Sequence, residues 1–234
     1  MADILFIGGT GIISAASVRR AIEVGHRVTV LNRGQSSIRP LPQEAESVQA
    51  DIRQPETVRE ALGDRSFDAV LDFVAFLPEH VETDAKLFTG RTGQYVFISS
   101  ASAYQTPPGP MPVTEQMPLD NPFWQYSRDK IACEQRIQAF EGLDWTIIRP
   151  SHTYDRTALP IEGGWTAIDR MRRGLPVAVH GDGTSLWTIT HTEDFAVGLV
   201  GLLGNPAALG EAYHITNEWP IAWNQIYTDL AHAA

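Results

Sequence analysis

The sequence predicts an α/β protein built on a doubly wound parallel sheet, and three observations carry that prediction. Apolar runs of strand length alternate with helix-length segments through the first two-thirds of the chain. Those runs are continuous rather than alternating, as expected of strands covered on both faces. The first of them, Asp3-Ile4-Leu5-Phe6-Ile7, leads straight into Gly8-Gly9-Thr10-Gly11 and then into a helical pattern from Ile12. A strand, a glycine turn and a helix in that order open a sheet whose ligands bind at the carboxyl ends of its strands.

The elements follow in order. Strands are expected over 4–7, 27–31, 69–72, 95–99 and 145–148, with a short one ahead of Asp51. Helices are expected over 12–24 (closed by Gly25), 55–62, 80–88 and 123–140. The proline-rich stretch 106–122 reads as an exposed loop, because periodic structure resumes on both sides. Beyond Pro150 the regularity weakens. A helix near 165–173, short strands near 177–179, a helix over 194–203, a strand over 213–216 and a last helix from 223 suggest a small C-terminal substrate lobe. The expected division is a dinucleotide-binding Rossmann-type domain over 1–150 and a lobe over 151–234 interleaved with the core.

Bulk properties narrow the function. The 234 residues, 43% of them hydrophobic, suffice for one such domain with a small lobe. A net charge of −10 repels phosphate backbones, which argues against nucleic acid as a partner and leaves a small molecule. Nothing in the composition speaks against a homodimer. The lone Cys133 suits a reducing cytoplasm, and no apolar stretch is long enough for a membrane span. The seven histidines show no metal-ligand spacing, so no metal is expected.

The glycine turn is the first candidate site. Glycines leave no Cβ between the backbone and a pyrophosphate, and the helix that follows points its N-terminus at the anion. Gly8, Thr10, Gly11, Ile12 and Ile13 are the expected contacts. The last glycine position of the fingerprint holds Ser14, the smallest replacement that keeps helix and strand close. After the second strand, Asn32 stands where a carboxylate would bind the adenosine ribose of NAD, followed by Arg33 and then by Ser36 and Ser37. A guanidinium matches a 2′-phosphate, so NADP is preferred over NAD, although Arg33 is also readable as an exposed turn arginine. Asp51-Ile52 either caps the adenine edge or merely ends the third strand. Val74 and Ala75 complete the cofactor set beyond the fourth strand.

Three further motifs follow in register. Tyr126 and Lys130 lie four residues apart, on one helix face. Ser99-Ser100-Ala101-Ser102-Ala103-Tyr104 ends the fifth strand, and Ile147-Ile148-Arg149-Pro150-Ser151-His152-Thr153-Tyr154 ends the sixth. With Gly181-Asp182-Gly183-Thr184 and His191-Thr192-Glu193-Asp194-Phe195-Ala196, they resemble the extended short-chain dehydrogenases/reductases of the NAD-dependent epimerase/dehydratase family, over nearly the whole chain. The resemblance implies a catalytic set of Ser100, Tyr126 and Lys130. Tyr126 would transfer the proton, Ser100 would hydrogen-bond the reacting oxygen, and Lys130 would hold the nicotinamide ribose. A free phenol titrates near pKa ~10, and each neighbouring cation lowers that by ~1–3 units. Main chain over 150–153, including Pro150 and His152, would seat the nicotinamide amide.

The resemblance also implies departures. Trp187 occupies about the position of an arginine that grips the diphosphate of nucleotide sugars in such proteins, which argues against a sugar nucleotide. Ser102, Trp124, His152, Tyr154, Trp165 and Trp187 are the candidates for lining a flatter, more apolar substrate pocket; the aromatics are equally readable as core. The last helix stops at Ala234 without a C-cap, whereas the resembled proteins continue, so an incomplete lobe is expected. The competing readings are a cofactor-bound RNA-binding protein, like the chloroplast stem-loop binding proteins with their similar glycine start, and a redox-sensing regulator without catalysis.

Overall fold

The computed structural model describes residues 1–35 and 38–234, so Ser36 and Ser37 lie outside the described residues. In chain order the elements are β1 (Asp3–Ile7), α1 (Ile12–Glu23), β2 (Arg27–Asn32), β3 (Glu46–Gln49), α2 (Pro55–Leu62), β4 (Ala69–Asp72), α3 (Pro78–Phe88) and β5 (Tyr95–Ile98). There follow α4 (Gln125–Gln138), β6 (Trp145–Pro150), β7 (His152–Tyr154), α5 (Gly164–Arg172), β8 (Leu186–Trp187), β9 (Ile189–His191), α6 (Thr192–Gly201), β10 (Glu211–Ile215), β11 (Ile221–Ala222) and α7 (Trp223–Ala233). Seven strands form one parallel sheet in the order β10-β6-β5-β4-β1-β2-β3.

Period-2 geometry sorts the strand residues onto two cores. Leu5 and Ile7 of β1 face the side covered by α2, α3 and α4, where Val58, Val81, Phe88, Cys133 and Ile137 meet Val70, Phe97 and Ile147. Ile4 and Phe6 face the other side, against Val18 and Ala21 of α1 and Phe195 and Leu199 of α6. Each large side chain buried this way contributes about 1.5–3 kcal/mol, which explains the unbroken apolar reading of the strands. Strand order reverses at β1, between β2 and β4, and opens a crevice at their carboxyl ends.

Two expectations need correction. The strand expected over 213–216 as part of the lobe is β10, an edge strand of the main sheet paired with β6 from Glu211↔Thr146 to Ile215↔Pro150. Helix α6 likewise packs against α1. Chain beyond Pro150 therefore leaves the sheet for the lobe and returns to it. The 177–179 stretch is not a strand. Val177 and Val179 pack into the lobe's own cluster with Ile168, Trp223 and Ile226, and no neighbouring strand pairs with them. The lobe's small sheets are β7–β9 and β8–β11 instead. Expected helix ends shift by a few residues: α3 begins at Pro78 and α4 at Gln125. Among the described residues, no helix is long and apolar enough to cross a membrane.

Candidate active site

The glycine turn divides its labour among three residues. Gly8 adopts φ +84, and a Cβ there would sit 2.5 Å from Val74 Cγ1. A side chain at Gly8 would be strained at that φ and would force the Val74 side chain to shift. Gly9 serves packing, since a Cβ would lie 2.5 Å from Val30 Cγ1. Gly11 has an ordinary φ of −76 and precedes the helix. Its N–H donates to Ser14 Oγ at 2.8 Å, and Ser14 is buried. Serine in the last fingerprint position thus satisfies the Gly11 amide, leaving the Ile12 and Ile13 amides without intrahelical acceptors. No acidic residue stands in the first turn of α1. This helix end suits a diphosphate.

From the turn, a cleft of about 330 Å³ runs along the ends of β1, β2 and β4. Gly8, Thr10, Asn32, Arg33, Asp51, Ile52 and Val74 of the expected cofactor set line it. Asn32 Oδ1 accepts the Gly34 N–H at 2.7 Å and closes the turn after β2. Arg33 is exposed at the cleft and forms no ion pair with any described residue. Asp51 both lines the cleft and closes a turn by accepting the Arg53 N–H at 3.0 Å. Arg53, Phe76 and His80 also line it, and sequence reasoning missed all three. Arg53 is paired with Asp84 of α3, a contact that no local spacing announces.

Behind Val74 and Ala75 lies a buried acidic pair. Asp72 Oδ1 accepts the N–H groups of Val74 (2.9 Å) and Ala75 (3.0 Å), and its Oδ2 accepts from Tyr95 Oη at 2.6 Å. Asp72 thereby fixes the loop that faces Gly8. Burial and the Asp72 charge push Asp84 up to about 9, so Asp84 holds a proton at neutral pH. Its Oδ1 has no hydrogen-bond partner among the described residues.

The second half of the site gathers where β5 ends and α4 begins. Lys130 is buried, and its Nζ donates to the carbonyls of Ala75 and Ile98, both at 2.8 Å. The ammonium stands over the rings of Phe76, Phe97 and Tyr126, at 4.8, 4.8 and 5.8 Å from their centroids. Desolvation lowers its pKa to about 8. Two of its three N–H groups are spent, and the third has no acceptor among the described residues.

Tyr126 departs from expectation. Burial raises its phenol above 10, a hydrogen bond from Ser100 opposes the rise, and Cys133 adds to it. The resting phenol is therefore a proton donor. Ser100 and Ser102 share a hydroxyl contact at 2.9 Å, and Ser100 Oγ accepts the Ser102 N–H at 3.1 Å, capping the short turn Ala101–Ala103.

A buried ion pair moors this corner. Arg149 of β6 grips Glu134 of α4 bidentately, Nε to Oε1 at 3.0 Å and a terminal nitrogen to Oε2 at 2.6 Å. Ser99 donates to the same carboxylate. Glu134 stands one turn past Lys130, so the i, i+4 spacing could have revealed it. Cys133 beside it is buried, which pushes its thiol up to about 12 and keeps it protonated.

The expected substrate residues scatter more widely. Pro150 is buried in β6, next to Ile215 of β10. The His152 ring meets Trp223 edge-on at 5.6 Å, and burial lowers its pKa, leaving it neutral. Tyr154 stacks edge-on against His191 at 5.3 Å. Trp124, Trp165 and Trp187 are 55%, 54% and 42% exposed, so none of the three is core. Trp124 lies 4.8 Å from the Tyr126 ring, whereas Trp187 stacks on Trp223 of the lobe. The Gly181–Gly183 turn is a lobe brace: Asn224 Nδ2 donates to Asp182 O, and a Cβ on Gly183 would strike Asn224 at 2.0 Å.

Fold and crevice together define a dinucleotide-binding α/β protein with a serine–tyrosine–lysine group beside the nucleotide turn. The model of the NAD dependent epimerase/dehydratase family matches residues 4–216, and the chain belongs to that family. Membership assigns the cofactor class, a nicotinamide dinucleotide, and the positive-φ Gly8, the open α1 N-terminus and the cleft fit it. The chain is 27% identical over 238 residues to 2'-dehydrokanamycin reductase of Streptomyces kanamyceticus, covering 98% of this chain and 66% of that protein. It is 28% identical over 243 residues to the chloroplast stem-loop binding protein of 41 kDa b of Arabidopsis thaliana, covering 98% and 62%. The chain thus spans somewhat under two-thirds of the length of these relatives. Among solved structures, dTDP-glucose 4,6-dehydratase of Bacillus anthracis in complex with NAD superposes with a TM-score of 0.84 at 17% identity, covering 99% of this chain and 80% of that one. At that identity the likeness speaks for the fold.

Proposed function

We propose that this chain performs NADP-preferring oxidoreduction of a carbonyl or alcohol carbon on a small substrate that is not a sugar nucleotide. The single observation that carries the reading is the gathering of Ser100, Tyr126 and Lys130 beside the glycine turn, with Lys130 bonded to the same Ala75 segment that Asp72 holds against Gly8. When bound, the nicotinamide supplies or accepts a hydride. The chain's own residues do the rest. The α1 N-terminus receives the diphosphate through the Ile12 and Ile13 amides, and Arg33 takes the 2′-phosphate. Tyr126, neutral at rest, gives its proton to the carbonyl oxygen, while Ser100 donates a hydrogen bond to the same atom. Lys130 has one N–H left for the ribose and keeps a positive charge near the phenol.

Trp187 of the lobe, at the position of the expected basic grip, and Trp124, just ahead of α4, are both exposed, which favours an uncharged or cationic substrate face over a diphosphate. One relative is named 2'-dehydrokanamycin reductase, a name that fits reduction of a carbonyl on a substrate that is not a sugar nucleotide. Another relative is named as a stem-loop binder. A chain of net charge −10 offers a phosphate backbone little attraction, so catalysis is the preferred reading. The test is calorimetric titration with NADP(H) and NAD(H), followed by a panel of ketones, aldehydes and nucleotide sugars scored by nicotinamide absorbance. Tight NADP(H) binding with turnover of a non-nucleotide carbonyl is the expected result; turnover of nucleotide sugars alone would contradict the substrate assignment.

A further inference from the structure

A line of hydroxyls runs from the interior of α4 to Ser100. Asn121, buried ahead of the helix, accepts the Phe123 N–H on Oδ1 at 3.2 Å, which fixes the orientation of its amide. Its Nδ2 donates to Ser102 O at 2.8 Å and to Ser127 Oγ at 3.3 Å. Ser127, fully buried and next to Tyr126, donates in turn to Ser102 Oγ at 3.0 Å. Ser102 Oγ lies 2.9 Å from Ser100 Oγ, and the Ser102 N–H already donates to Ser100.

We infer that Ser127, through Ser102, is a positioning residue that fixes the Ser100 hydroxyl as a donor toward the reacting oxygen. The direction follows from the donor inventory. An amide NH₂ can only donate, so Asn121 makes Ser127 an acceptor there and frees the Ser127 proton for Ser102. Ser102, having accepted, passes its own proton to Ser100. Ser100 then accepts twice, from the Ser102 hydroxyl and the Ser102 N–H, and both of its lone pairs are filled. Its one remaining capacity is its proton, which is aimed outward at Tyr126 and at any oxygen bound beside it. Without Ser127, the Ser102 hydroxyl turns freely, and Ser100 can spend its proton on Ser102 instead of the reacting group. This rests on the proposed role of Ser100, but its test needs no substrate.

Full-length protein is grown with 3-fluorotyrosine, whose phenol is more acidic, and titrated by ¹⁹F NMR, with Tyr126→Phe assigning one of the six resonances. Losing a donated hydrogen bond raises the Tyr126 phenol by about 0.5–1 pH unit, so Ser127→Ala should show that rise, whereas Ser102→Ala, which removes the competing acceptor itself, should not. Ser127→Thr, which keeps the hydroxyl, should titrate like the parent. Ser102 is only half-buried, so Ser102→Ala is the safer variant to fold, and added to Ser127→Ala it should abolish the rise, because Ser100 then has no neighbouring hydroxyl on which to spend its proton. An unshifted Tyr126 in folded Ser127→Ala, a threonine variant shifted as far as the alanine one, or a rise in Ser102→Ala alone would overturn the relay. Each result is independent of whether any carbonyl substrate is turned over.

Discussion

Replacing Arg149 by methionine tests how the site is moored, because the change keeps most of the side-chain length and removes only the charged fork. Glu134 is fully buried and Arg149 is 5% exposed, so the carboxylate would be left inside the protein with only Ser99 as a donor. Breaking a buried pair from one side costs about 3–5 kcal/mol, against roughly 0–1 kcal/mol for an exposed pair. For a chain of this size each kcal/mol lowers Tm by about 2–4 °C, so Arg149→Met should melt roughly 6–20 °C below the parent. The Tyr104 hydroxyl and the Glu115 carbonyl each lose an Arg149 partner as well, which favours the upper half of that range. The assay is urea unfolding of Arg149→Met, Glu134→Leu and the double variant, with m compared across all three. The double variant should lose less than Arg149→Met alone, since no orphaned charge remains. A single-variant loss below about 1 kcal/mol, or a double variant losing the full sum of the singles, would refute the picture of a buried, mutually dependent pair.

Three other outcomes follow from the same geometry. Gly8→Ala forces a Cβ into Val74 at a φ of +84, so it should cost about 1–3 kcal/mol and weaken dinucleotide binding in calorimetry. Arg33→Ala should weaken NADP(H) far more than NAD(H) in parallel titrations, because only the former carries the 2′-phosphate. Asp84→Asn should stabilise the protein increasingly as pH rises. Asp84 has its pKa raised to about 9, so the wild type loses stability from the ordinary carboxylate range up through that value, and the neutral amide removes this loss. Urea unfolding near pH 4 should find the two proteins alike, and near pH 8 the variant ahead.

Much of this was legible in the sequence because the signals were local. The apolar run of β1, its glycine turn and the caps of α1 are contiguous, and the Tyr126–Lys130 spacing needs only a helix. Asn32, Arg33, Asp51 and Val74 reach one cleft because they follow parallel strands, which the alternating pattern already implied. What escaped was set by long-range contacts. Pairing of β10 with β6 depends on the chain returning after more than forty residues of lobe, and a short Tyr-His-Ile run carries no trace of its partner. Val177 and Val179 alternate as strand residues do, yet alternation serves an unpaired segment packed on Trp223 equally well. The raised Tyr126 phenol was likewise invisible. It comes first from burial, with Ser100 opposing the rise, and that burial is set by packing between segments distant in sequence.

The central claim is that Tyr126 moves the proton while the glycine turn and Lys130 hold the nucleotide, and Tyr126→Phe separates the two roles. On the first carbonyl substrate that the parent accepts, turnover of Tyr126→Phe should fall by ~10²–10⁴-fold, with NADP(H) affinity measured on the same sample within a few-fold of the parent. A phenylalanine variant that turns over at close to the parent's rate would contradict the account.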